Sequence, residues 1–356
     1  MTCRNMARGV GNGGRKPGAW LDFVRHQESC DLTIAELLAR HAEMLERKGK
    51  LTRDKRTDLR RFGHDFGTMR VRDFERAHAR GYRDALQAQV LSDGSRYAPK
   101  TVRKIISNLT RVFAHAVEIG AADLNPVAGI KLPPNRVQDP TRAASELLTT
   151  PEVRKVLSST CLPPFRRVFY AVLFGTGSRF GEAAALRFGD VSLDRKPLGE
   201  VLVRRSWDCR SQPPRFREPK TELHRRIPVV PFLRTAVLHS RNLYRETWGI
   251  EPGPDHLVAP YNGRPEGPRP WHQTTALRWW RKDLELLGIE HPASGPRRLH
   301  ATRHTYINLL IEAGASEAVI KLRTHPGSAS ADRDPYRGYV HYSWDIVCRE
   351  IGKLKI

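Results

Sequence analysis

Residues 99 to 119 read PKTVRKIISNLTRVFAHAVEI, and this stretch decides the class of the first half of the chain. Val102, Ile105, Leu109, Val112, Phe113 and Ala116 recur at three- and four-residue steps, which predicts a helix over 99–119 with one apolar stripe. Lys100, Lys104, Ser107, Asn108 and Arg111 fall on another face, and Lys100, Lys104 and Arg111 are candidate DNA contacts. Working outward, Thr33 and Glu36 have capping-box spacing ahead of Ile34, Leu37, Leu38, Met44 and Leu45, so a helix starts there. Further helical segments are predicted near 52–63 and 72–90, broken by Gly63, Gly67 and the Ser92 to Ser95 turn cluster. Residues 31–130 therefore read as an all-helical domain.

The flanks differ in kind. Residues 1–30 are rich in glycine and basic side chains and lack apolar periodicity, which reads as a flexible basic arm. From Asn125-Pro126 through Pro133-Pro134 to Pro140 the pattern is that of an extended linker, set at 131–144. Thr150-Pro151-Glu152 then supplies an N-cap, a first-turn proline and an acid, opening a second domain over 145–356. That domain reads as helices near 151–158 and 163–175, a turn, a short helix, and strands near 200–206, 215–219 and 225–230. Helices resume near 270–287, 302–313 and after Ser316, ending with an amphipathic segment over 343–356 that carries Trp344, Val347, Cys348, Ile351 and Leu354. The fold class is mainly α with a small β-sheet (α+β).

Composition narrows the function. Among 356 residues, 61 are Lys or Arg and 38 are Asp or Glu, a formal net charge of +23, with arginine well ahead of lysine. Guanidinium forks match phosphate oxygens, so a polyanion is the expected partner, and nucleic acid in particular. Base composition of a genome can set the Arg-to-Lys ratio but not the net charge. No run approaches the ~18 apolar residues of a membrane span, and no signal-peptide pattern opens the chain, so a cytoplasmic protein without a membrane partner is expected. Cys3, Cys30, Cys161, Cys209 and Cys348 form no CxxC pair, which argues against a cysteine metal site or a disulfide framework.

Four islands carry chemistry: Thr176-Gly177-Ser178-Arg179-Phe180-Gly181-Glu182, Pro219-Lys220-Thr221, His300-Ala301-Thr302-Arg303-His304-Thr305, and His325 followed by Tyr339-Val340-His341. Arg179 and Arg303 are the residue type that clamps non-bridging phosphate oxygens without a divalent cation. Two other readings fit poorly. Gly175-x-Gly177 lacks the surrounding βαβ unit of a nucleotide loop, and His300-x-x-x-His304 has Ala301 where a zinc protease needs its glutamate base. No cofactor and no metal are expected.

Together the islands resemble the tyrosine recombinases, also called phage-type integrases, over about residues 31–356. The resemblance implies a helical core-binding domain and a catalytic domain clamping duplex DNA. It implies Arg179 and Arg303 as transition-state clamps, Lys220 near a hairpin tip as general acid, His300 and His325 on phosphate oxygens or the tyrosine proton, and Tyr339 as nucleophile. A covalent 3′-phosphotyrosine would follow, with religation needing no ATP. The task implied is integration or excision of a phage or mobile element; resolution of replicon dimers, type IB topoisomerase action and catalytically silent DNA binding are the alternatives. A homotetramer on two sites, accessory DNA-bending or directionality proteins, a nucleoid-associated location and docking of the C-terminal helix on a neighbour are implied as well. The chain departs from the pattern at Thr302, where leucine is usual, and in the long spacing from His325 to Tyr339, which leaves Tyr336 and Tyr342 as competitors.

Overall fold

The computed structural model describes residues 31–134, 145–211, 213–219, 223–262, 267–293, 295–325 and 342–356. The chain divides into two compact units, Met1–Val137 and Gln138–Ile356.

In the first unit, helix α1 (Ile34–Arg47) begins where the sequence asks it to. The Thr33 hydroxyl accepts from the Glu36 backbone N–H, and the Glu36 carboxylate accepts from the Thr33 backbone N–H at 2.8 Å. Helices α2 (Arg53–Phe66), α3 (Arg76–Ala88) and α4 (Pro99–Glu118) follow. The predicted stripe of α4 is buried along its length against the other three, and Phe113 stacks on Phe74 with ring centroids 4.8 Å apart. One residue assigned to the polar face is not on it. Asn108 is buried and donates to the Asp58 carboxylate at 2.9 Å, so it joins α4 to α2 instead of meeting solvent. Each lone polar group would be costly there; the pair satisfies both.

The second unit opens with α5 (Thr150–Ser158), capped by Thr149 and not by Thr150, because Thr149 and Glu152 form the reciprocal pair of hydrogen bonds. Helix α6 (Pro164–Thr176) is buried nearly all round and is the axis of the unit, with α8 (Pro231–Trp248) and α10 (Ala301–Glu312) packed on it. Between them lie α7 (Phe180–Ala184) and strands β1 (Val191–Ser192), β2 (Glu200–Val203), β3 (Ser206–Asp208), β4 (Arg215–Arg217) and β5 (Arg225–Pro228). The first sheet runs β1-β2-β5, antiparallel, with Val201 opposite Ile227; β3 and β4 form a separate hairpin. The single strand expected over 200–206 is thus two. Arg204 and Arg205 both bind the buried Asp190 carboxylate at 2.6 Å, which pulls the chain off the first sheet between β2 and β3.

Helix α8 has no counterpart in the sequence reading. Its signals are a proline at the first helical position, Leu233, Val237 and Tyr244 on the buried face, and Gly249 at φ +65 closing it. Ser240 and Tyr244 donate to the carbonyls of Val258 and Leu257, so polar residues also point inward and interrupt the apolar stripe. Helices α9 (Gln273–Leu286), α11 (Glu317–Thr324) and α12 (Trp344–Ile351) complete the unit. The last helix, expected to dock on a neighbour, packs on its own unit in this chain. Val347, Ile351 and Leu354 are at most 3% exposed within their own unit's core, the Glu350 carboxylate accepts from the Ser316 N–H at 3.0 Å, and Lys353 donates to the Gly314 carbonyl at 2.8 Å. Its apolar face is filled in cis.

Candidate active site

Helix α6 ends at Gly177, whose left-handed φ of +57 turns the chain sharply. A Cβ there would meet the Tyr306 ring at 2.3 Å, so glycine is required by both conformation and space. The turn delivers Arg179 to the N-cap of α7, its side chain 29% exposed. Gly181 serves the same purpose one turn on: a Cβ would strike Ser206 and Trp207, so β3 can cross closely only over a glycine.

Beneath Arg179 lies Glu182, its side chain 1% exposed. It accepts from the Arg179 guanidinium at 3.0 Å and from the Arg225 guanidinium, which reaches it from β5. Burial by itself would raise the Glu182 pKa; the hydrogen bond and charge of Arg225, with the Arg179 N–H, outweigh it and hold the carboxyl below its usual range. Neither Glu182 nor Arg225 was among the residues expected to act.

Arg303, on α10, is 1% exposed and donates to the carbonyls of Gly177 and Thr324. One guanidinium thereby ties the end of α6, α10 and the end of α11 together. Burial, followed by the charges of Arg179 and Arg225, pushes its pKa down to about 10. Thr302, the departure noted above, is buried behind it and donates to the Leu299 carbonyl at 2.9 Å, a packing role.

The histidines belong to the same electrostatic field. His300 and His304 stand edge to face with centroids 4.8 Å apart, and the Thr324 hydroxyl lies 2.9 Å from His325 Nδ1. Desolvation first, then His304, Arg303 and Arg179, hold His300 down to about 4; desolvation, then Arg303 and Arg179, do the same to His325. The structure therefore brings Arg179, His300, Arg303 and His325 together and adds Glu182, Arg225 and His304. Two guanidiniums, those of Arg179 and Arg225, share the Glu182 carboxylate, a third, that of Arg303, is held by carbonyls alone, and neutral imidazoles line them. Such a cluster is short of negative charge, and what it can accept is an oxyanion with several lone pairs to fill. Among the described residues no group of three His, Cys, Asp or Glu side chains is arranged to hold a metal ion.

Lys220, Tyr336 and Tyr339 lie outside the described residues. Tyr342 packs against the unit's core just before the Ser343 cap of α12. Lys100, Lys104 and Arg111 are exposed on the first unit, where Lys104 pairs with Asp54 at 2.9 Å. Arg225 did leave a trace in the sequence: Arg225-Arg226-Ile227 alternates, and Ile227 as the inward residue makes Arg225 inward too.

Comparison with known proteins bears on the fold. The transposon Tn1549 integrase, solved in complex with a circular intermediate DNA, superposes with a TM-score of 0.63 at 15% identity, covering 91% of this chain and 100% of that one. The fold is that of the tyrosine recombinases. A lambda integrase fragment, solved as a dimer bound to a COC′ core site, superposes at TM-score 0.59 and 16% identity over 85% of this chain and 98% of that chain. In sequence, the chain is 28% identical over 244 residues to the ICEBs1 integrase of Bacillus subtilis (strain 168), 67% of this chain and 61% of that protein. It is 26% identical over 227 residues to a XerC-like tyrosine recombinase of Caldanaerobacter subterraneus subsp. tengcongensis, 60% of this chain and 56% of that protein. The tyrosine-recombinase resemblance thus spans about three fifths of the length of these curated relatives. No family model matches the chain.

Proposed function

We infer that this tyrosine-recombinase-like chain breaks and rejoins duplex DNA as a site-specific recombinase, for integration or excision of a mobile element. The observation that carries the reading is the cluster of part-exposed Arg179 with buried Arg225 and Arg303 beside the buried Glu182 carboxylate, an arrangement suited to a phosphate in transition. In the proposed step the Tyr339 phenol oxygen attacks phosphorus, its proton passing to an imidazole, and the bond to the 5′ oxygen breaks. Lys220 gives that oxygen a proton, leaving a 3′-phosphotyrosine and a free 5′ hydroxyl. Arg303, fixed by two backbone carbonyls, and Arg179, fixed by Glu182, neutralise the non-bridging oxygens; His300 and His325 hydrogen-bond to them. Attack by another 5′ hydroxyl reverses the sequence and rejoins strands.

The first unit's Lys100, Lys104 and Arg111 are proposed to lie along the duplex as part of a core-binding domain, the second unit being catalytic. Assembly as a homotetramer on two sites, help from accessory DNA-bending or directionality proteins, and a place on the bacterial nucleoid belong to the same reading. The test is a nicked duplex carrying the junction recovered by deep sequencing from expressing cells, scored for an SDS-stable protein–DNA adduct. Wild type should form it; Tyr339→Phe should bind the duplex and form none. Adduct in Tyr339→Phe but not in Tyr336→Phe moves the nucleophile, and no adduct from wild type leaves a DNA-binding protein without this chemistry.

A further inference from the structure

The first unit holds a second cationic cavity, of about 330 Å³, enclosed by α1, α2 and α4. Its rim carries Lys48, Lys50, Lys55 and Arg111, against which stands one lining carboxylate, Glu118. Among the described residues none of these four cations has an ion-pair partner. Their hydrogen bonds go to neutral acceptors: Lys48 to the Met44 sulfur at 3.3 Å, Lys55 to the Lys50 carbonyl at 2.9 Å, Arg111 to the Asn108 side-chain oxygen at 3.3 Å.

The floor supplies independent evidence. His41 lines the cavity, is only 5% exposed, and its Nδ1 is buried without a hydrogen-bond partner among the described residues. His115 lies beside it, ring centroids 5.5 Å apart, with its own Nδ1 in the same condition. Buried polar atoms are nearly always satisfied, so two unsatisfied ring nitrogens on side chains that line one cavity mark a place for a ligand with hydrogen-bonding groups. Burial first, then His115, Lys55 and Arg111, hold His41 down to about 4, so the ring is neutral and can hydrogen-bond as donor or acceptor. Met44, Leu45, Leu59 and Ala114 complete the wall with apolar surface.

We propose that this cavity binds a nucleotide, its phosphates on the lysine and arginine rim and its sugar or base on the apolar wall beside His41 and His115. A bare inorganic anion would leave the apolar wall unused, and an apolar ligand would leave the four cations and two ring nitrogens unanswered. The nucleotide can be free in solution or part of a strand; both present the same phosphate and base. The site belongs to the first unit and does not rest on the reading of the arginine cluster in the second.

Calorimetric titration of the full chain with ADP, inorganic pyrophosphate and adenosine tests it. ADP should bind saturably and more tightly than pyrophosphate, adenosine should give no saturable heat, and Lys55→Met should weaken ADP by about tenfold or more, the loss of one charge-assisted contact. Lys55→Met removes only a charged head at the rim, and its thermal melt should match wild type; His41→Gln should weaken ADP as well. Displacement of ADP by duplex DNA assigns the site to a strand nucleotide, and simultaneous binding assigns it to a free one. Absence of saturable ADP binding, or an affinity unchanged in a Lys55→Met protein that melts like wild type, overturns the proposal. DNA adduct formation is not read in any arm, so the failure of either reading is visible without the other.

Discussion

Glu182→Gln keeps the shape of the side chain and removes its charge, which isolates what one carboxylate does among three guanidiniums. Glu182 and Arg225 are 1% and 2% exposed, and Arg303 is buried nearby, so neither buried cation can turn to water when the carboxylate goes. Arg179, 29% exposed, can. The cost therefore falls on Arg225 and Arg303, and breaking a buried pair from one side is worth about 3 to 5 kcal/mol. For a unit of about 200 residues this corresponds to a fall of about 6 to 20 °C in melting temperature. Added phosphate should restore part of it, because an oxyanion can take the missing charge; at a hundred times its Kd the gain is about 2.7 kcal/mol. Arg225→Met removes a cation and leaves Arg179 on Glu182, so its loss should be smaller, about 1 to 3 kcal/mol. The assay is calorimetric melting of the full chain with and without phosphate, following the transition of the second unit. A Glu182→Gln loss below about 1 kcal/mol, with the same phosphate gain as wild type, would refute the account of the cluster as under-supplied with negative charge.

Other outcomes follow from the same geometry. Binding of a phosphodiester should draw protons onto His300 and His325, because an adjacent anion favours the charged imidazole and offsets part of the desolvation and guanidinium repulsion that hold them near 4; affinity should rise as pH falls below the ordinary histidine value, and buffer-dependent binding heats read the uptake directly. His41, depressed when folded and ordinary when unfolded, contributes stability that is present above about pH 6.5 and lost as pH falls towards 4, at most about 3 kcal/mol; urea midpoints of wild type against His41→Gln measure it. Ile351→Ala should cost about 2 to 5 kcal/mol by chemical denaturation, since that side chain is fully buried in its own unit; a cost near zero would mean that α12 leaves the core in solution. If the proposed chemistry holds, adduct formation should survive excess EDTA, the arginines and Lys220 supplying the charge that cations supply elsewhere, and loss restored by magnesium would sink that mechanism.

The helices of the first unit could be read from the chain because their determinants are local: the Thr33–Glu36 pair sits three residues apart, and the stripe of α4 repeats at the helical period. Arg179, His300, Arg303 and His325 were legible as islands whose residue types suit a phosphate. Helix α8 was not read, since Ser240 and Tyr244 bury polar atoms on carbonyls from a later loop and blur the apolar period. Glu182 and Arg225 are 43 residues apart, and only the pairing of β5 with β2 carries Arg225 to α7. No spacing rule encodes such a pair. The same limit applies at the chain's last helix: Val347, Ile351 and Leu354 say by their period that an apolar partner exists, and only packing against the unit's own core decided which one. Periodicity fixes which face is buried, because that depends on backbone geometry alone; the identity of what buries it depends on contacts between residues far apart in the chain, and these are set by the tertiary structure.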